Sequence, residues 1–344
     1  MRDDYPEFLW GASISFSPVN GPLTGARATA PSRIPSNRPF FIPPLRSWGL
    51  GLILLAPPAA WGDCTTLAQD IQTAARAADL PALAGHARLI PTEPTCPDDY
   101  RAKLARVAAL GYIREIQQRL TAGEPLAAQE DLLRQSVAIA NTWQAQALLG
   151  DLALDRKHYE AATLAFQEAL NLINDPVDTP KAPPEAEIQS IFRKASECRL
   201  LAERYVAVPV NHRSGTAEGL ALTAVRGWAV QRVPLPVTFE SGSTAFTAKG
   251  EQAASDLADY LLKQNPPDIT LVGHTDDRGS DQENRVLSKR RAEALAAYLR
   301  EQGYEGRIRT EGAGESQPIE LDDPDRYTEE EIWALNRRVE LVRR

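Results

Sequence analysis

Residues 268–303 read DITLVGHTDDRGSDQENRVLSKRRAEALAAYLREQG, and this stretch decides the C-terminal fold. Ile269 to Val272 is a short apolar, β-branched run of the kind that forms a strand. A polar loop containing Gly279 follows it. From about Leu287 the period changes, with Leu287, Leu295 and Tyr298/Leu299 on one helical face and Gly303 suited to the left-handed residue that ends a helix. Arg291 falls inside that apolar stripe. A guanidinium there needs an acidic partner or a ligand, because a charge withdrawn from water without one is costly. Asp276, where the strand ends and on the loop leading into the helix, is the nearest candidate. Two readings of the pair are open. It forms a structural salt bridge, or it grips a zwitterion, with a carboxylate on the arginine and an ammonium on the aspartate.

Further blocks stand in order around this stretch: Gly273-His274-Thr275-Asp276, Gly279, Asn284, Leu287-Ser288, Arg291-Ala292 and Asn336-Arg337-Arg338-Val339-Glu340. In residues and spacing they resemble the OmpA-like C-terminal domain, a family that includes peptidoglycan-associated lipoproteins and flagellar-stator cell-wall anchors. The resemblance covers about the last 110 residues. It implies non-covalent binding of peptidoglycan through the diaminopimelate of the stem peptide, whose free end is held by Asp276 and Arg291. It also implies supporting roles for Thr275, Asn284 and the pair Phe239-Glu240. That pair stands where the family has Phe-Asp, so the longer glutamate puts its own contact in doubt. Of the two adjacent arginines, Arg338 is the one expected to help close the pocket; the alternative is that both are solvated strand-end charges.

Around the opening stretch, Val233 to Phe239 (VPLPVTF) reads as the domain's first strand, confined by two prolines to an edge or to irregular pairing. Thr247 is placed to cap a helix with a stripe of Ala253/Ala254, Leu257 and Leu261. Ile308 to Glu311 and Val339 to Val342 supply later strands, separated by an acidic insertion at 321–332. The order β-α-β-α-β-(α)-β predicts an α+β sandwich over 233–344 with a sheet of mixed direction.

The preceding region is helical in pattern from Thr65 to about Tyr205, giving a domain at 63–205. Its clearest unit is Trp143 to Asn174, where Leu149-Gly150, Tyr159, Ala162, Phe166 and Ala169 have the spacing of a tetratricopeptide repeat. Gln146, Ala153 and Asn174 depart from that pattern. One repeat cannot bury its own faces, so helices at 101–121 and 125–141 are expected to stack before it and one at 185–204 to cap it. The domain therefore reads as all-α tetratricopeptide-like repeats. It offers a groove for an unidentified protein partner, or serves as a helical spacer. Residues 206–232 read as a linker.

Residues 1–44 are proline-rich and aperiodic, a disordered or spurious extension. Residues 45–62, from Leu45-Arg46 through GLGLILLA to PPAAWG, have the layout of a cleaved secretory signal, with an apolar run too short to span a bilayer. Because Met1 is the sole methionine, the expected natural start is an alternative codon near Leu45. Cys64 follows the cleavage point. Trp61-Gly62-Asp63 is wrong for a lipoprotein signal, so a disulfide to Cys96 in an oxidising periplasm is preferred to lipidation. Cys198 is left as a buried apolar residue.

The net charge of −8 and the lack of a basic run argue against nucleic acid and anionic headgroups as partners. Four histidines without ligand spacing, and no phosphate loop or nucleophile elbow, point away from a metal, a cofactor or catalysis. His274 is read as structural. The combined expectation is a non-enzymatic protein of the Gram-negative periplasm that anchors to peptidoglycan, with the outer membrane as a further association. The alternative is an adaptor subunit of an envelope motor or secretion assembly.

Overall fold

The computed structural model describes residues 62–207, 224–225, 228–263 and 268–343. The expectations for 1–44, for the leader at 45–62 apart from Gly62, and for the turn at 212–219 lie outside them.

Among the described residues seven α-helices come first: α1 (Gly62–Ala77), α2 (Leu80–Leu89), α3 (Asp98–Thr121), α4 (Glu130–Ile139), α5 (Trp143–Asp155), α6 (Tyr159–Asn174) and α7 (Glu185–Leu201). Cys64 and Cys96 are joined by a disulfide that ties the start of α1 to the segment before α3, so Cys64 has no thiol to lipidate. Ile71, Leu83, Ala108 and Tyr112 lie in the core beneath it. Thr142 caps α5 through Ala145 N–H. Helices α5 and α6 pack closely because Gly150 has no side chain: a Cβ there would sit 2.6 Å from the Phe166 ring. The turn joining them places Lys157 at φ 60°, a left-handed conformation costly for a residue with a Cβ. Cys198 is buried in α7.

A two-residue hairpin, β1 (Ala224–Val225) with β2 (Trp228–Ala229), leads into the C-terminal domain. There β3 (Arg232–Leu235), α8 (Ala248–Lys263), β4 (Ile269–His274), α9 (Asp281–Glu301), β5 (Ile308–Gly314), α10 (Glu329–Asn336) and β6 (Val339–Arg343) follow in order. The sheet order is β3-β6-β4-β5, with β4 and β5 parallel and the other pairs antiparallel. This is the mixed α+β sandwich that the residue pattern predicts. β3 lies on the edge, as its proline requires, but it ends at Leu235; beyond it, Phe239 makes only an isolated bridge to Phe246. One face of the sheet, with Leu235, Leu271, Val339 and Leu341, packs against Ala254 and Leu257 of α8 and Leu295 and Leu299 of α9.

Two expectations need correction. Helix α9 begins at Asp281 rather than near Leu287, because Ser280 and Glu283 form a reciprocal capping box that satisfies its first turn. The described part of 206–232 is not an unpacked linker. Trp228 meets Phe192 of α7 edge-on at 5.4 Å and Val225 is buried in the helical core, while Tyr205, just before the segment, donates to Asp256 of α8. Lys249 of α8 donates to the carbonyls of Leu200 and Ala202 at the C-terminus of α7, at 2.7 and 2.6 Å. There a cation is favourably placed against the helix dipole, while burial lowers the ammonium's pKa to about 8.

Candidate functional site

The C-terminal end of β4 and the first turns of α9 build the site, and Gly273 sets how closely they approach. A Cβ on Gly273 would lie 2.1 Å from the Ser288 carbonyl, so any larger residue would push α9 off the strand. With the two elements in contact, Asn284, Ser288, Arg291, Ala292, Leu295 and Leu299 form the buried face of α9. Leu287, expected on that face, is only half-buried.

Arg291 is 5% exposed. It donates from Nε to the Ser243 carbonyl at 3.1 Å and from Nη2 to the Glu240 carbonyl at 3.3 Å. Its guanidinium lies 5.3 Å from the centroid of the Phe239 ring. Phe239, Phe246 and Tyr298 form a continuous aromatic wall beside it. Among the described residues no carboxylate reaches Arg291 within ion-pair distance. Burial, and then the nearby charge of Arg337, lower its pKa, with Asp276 opposing them.

Asp276 is therefore not the ion-pair partner of Arg291. Its Oδ2 accepts from Nη2 of Arg278 at 2.6 Å and from Nη1 of Arg337 at 2.7 Å. Its Oδ1 takes the Arg278 backbone N–H at 3.3 Å. Burial pushes the Asp276 pKa up, but the two arginines outweigh it and hold the carboxyl below its ordinary value. The Arg278 guanidinium stacks over the indole of Trp333, 4.5 Å from the ring centroid.

The other anticipated residues divide. Thr275 lies beside Asp276, 5% exposed, and its Oγ1 has no hydrogen-bond partner among the described residues. Asn284 clamps the loop, donating to the carbonyls of Asp276 and Arg278 and to Glu315. Glu240 contributes its backbone carbonyl; its side chain is exposed. Arg338 does not reach the site. It is buried on the opposite face of the sheet against Glu340, at 2.7 Å, with His274 3.5 Å from the same carboxylate.

Arg337, the neighbour passed over, is the arginine on Asp276. Alternation would have shown this: Val339 and Leu341 face the helices, so stepping back by two leads to Arg337 rather than Arg338. Arg278 and Trp333 carried no sequence signal, because their stacking joins a loop to a helix 55 residues away in the chain.

Residues 238–330 match the family model described as the OmpA family. Over 107 residues the chain is 33% identical to a peptidoglycan-associated lipoprotein of Rhizobium meliloti, a match covering 31% of this chain and 58% of that protein. Over 113 residues it is 38% identical to the outer membrane porin F of Pseudomonas aeruginosa, covering 32% and 31%. It thus spans about a third to three fifths of the length of these curated relatives. Among solved structures, the peptidoglycan-associated lipoprotein of Burkholderia pseudomallei aligns at 29% identity and a TM-score of 0.27, over 31% of this chain and 86% of that one. The C-terminal domain of this chain is an OmpA-like domain, carried behind a helical N-terminal region.

Proposed function

We propose that this protein binds peptidoglycan non-covalently, as a non-enzymatic anchor in the periplasm of a Gram-negative cell. The ligand group is the free amino-acid end of diaminopimelate in the stem peptide. The observation that carries this reading is Arg291, a buried guanidinium held by two backbone carbonyls and left without a carboxylate among the described residues. Two carbonyls orient it but do not neutralise it, so an incoming carboxylate gains a charge-assisted, bidentate partner already desolvated. Asp276 supplies the opposite charge. Its Oδ1 has a single long backbone contact, leaving capacity for a ligand's ammonium, and the unpartnered Thr275 hydroxyl offers a further polar contact. The peptidoglycan-associated relatives support the ligand class. The Cys64–Cys96 bond suits an oxidising compartment. The helical region serves protein partners in this reading, and the outer membrane is the further site of association.

The test is pull-down of the mature chain on purified diaminopimelate-type peptidoglycan, beside Asp276→Ala and Arg291→Ala. Wild type is expected to bind, with each truncation costing about 2–4 kcal/mol. Equal retention of all three proteins, or of none, overturns the reading.

A further inference from the structure

Helix α10 leads into its C-terminal cap residue Arg337, which holds Asp276, and carries Trp333, which stacks on Arg278. At eight residues it is too short to be stable by itself. Its support comes from outside its own domain. Tyr327, Ile332 and Leu335 pack into the core formed by α5, α6 and α7, together with Ile319 and Leu321 of the preceding loop. None of these five joins the core between the sheet and α8 and α9.

Polar contacts fix the same docking. The Glu331 carboxylate in the first turn of α10 receives Lys157 Nζ at 2.7 Å from the turn between α5 and α6, and the hydroxyl of Tyr159, the first residue of α6. Arg326 reaches Asp151 and Asp155 of α5 at 3.0 and 2.7 Å. The Tyr327 hydroxyl donates to Glu197 of α7 at 2.6 Å. Lys157 makes its contact from the left-handed backbone conformation noted above, so the turn is held in a strained shape that aims its ammonium at α10.

We infer that the helical domain is part of the ligand-binding apparatus: Lys157 and Tyr159 are positioning residues that set α10, and through it Arg337 and the Arg278–Trp333 stack, around Asp276. This rests on the function proposed above for Asp276 and Arg291 and extends the site into the other domain. Arg337 and Arg278 together occupy Oδ2, which fixes the rotation of the Asp276 carboxylate and presents Oδ1 to the ligand. If α10 lifts, Arg337 and the Trp333 ring against Arg278 withdraw together and the carboxylate loses that orientation.

The experiment uses the full mature chain carrying Lys157→Asn with Tyr159→Phe; asparagine tolerates the left-handed conformation, and Tyr159→Phe alone serves as a milder variant. Two readouts are taken. Amide hydrogen exchange across 332–338 is expected to accelerate while β4 and β6 stay protected, which also reports an intact fold. Calorimetric affinity for a soluble diaminopimelate-containing muropeptide is expected to fall about fivefold or more. In an Arg337→Ala, Trp333→Ala background the same two substitutions should lower affinity no further, since they act through Arg337 and the Arg278–Trp333 stack. Wild-type exchange rates at 332–338, or losses that add to those of that background, overturn the inference. Faster exchange in a chain whose wild type does not bind the muropeptide overturns the proposed function instead, and leaves α10's dependence on the helical domain established.

Discussion

Glu340 lies in the middle of β6 on the face of the sheet turned away from α8 and α9, with its side chain 8% exposed. Burial pushes its pKa up, but His274 and Arg338 more than compensate and hold it at about 2. Arg232 adds a contact at 3.1 Å. Because the folded value lies below the ordinary 4.5, the stabilisation is complete above about pH 4.5 and is lost as pH falls toward 2. Glu340→Gln should cost about 3 kcal/mol at neutral pH and flatten the loss between pH 4.5 and 2, measured by denaturant unfolding across that range. An unchanged acid limb would refute the assignment. At this scale the sequence was partly legible. Arg291 stood out because its position on the apolar stripe conflicts with its charge. The exchange of Arg337 for Arg338 came from neglecting strand alternation where a helix runs directly into β6.

The elements whose boundaries were read well are those with internal periodicity, such as α5, α6 and α8. Helix α9 was begun six residues late because its first turn is polar and is secured by Ser280 and Glu283, a signal in spacing rather than hydrophobicity. The region from α1 to α3 shows a different dependence. Cys64 and Cys96 are both buried and close a loop of 32 residues. Cross-linking over that length restricts the unfolded chain by about 3–4 kcal/mol. Replacing both cysteines by serine should lower the denaturation midpoint of the α1–α3 region by a corresponding amount, read by exchange of its amides. A midpoint equal to wild type would mean that the packing of Ile71, Leu83 and Tyr112 already suffices.

The helical and sheet-bearing regions lie within one compact body, and the segment from Ile319 to Leu335 belongs in sequence to one and in packing to the other. The insertion looked like an acidic loop because its partners are far along the chain: Glu331 meets Lys157 across 174 residues, and Tyr327 meets Glu197 across 130. Local pattern reading has no access to such pairs. Since a segment of one region completes the core of the other, they should unfold together. Calorimetry of residues 63–344 is expected to give a single transition with equal calorimetric and van't Hoff enthalpies, and two resolved peaks would contradict that interdependence.

The docking of α10 also has a mechanical side. Among the described residues the helical region meets the C-terminal domain near the C-terminus of α7, through Lys249, Asp256 and Trp228, and along the segment from Ile319 to Leu335, where Lys157 and Tyr159 clasp Glu331. A pull on the helices with the C-terminal domain held fast is therefore divided between those two zones. The clasp is the part that can let go without breaking the sheet. If Asp276 grips a ligand as proposed, tension on the clasp reaches that grip through α10 and Arg337, which couples load to hold.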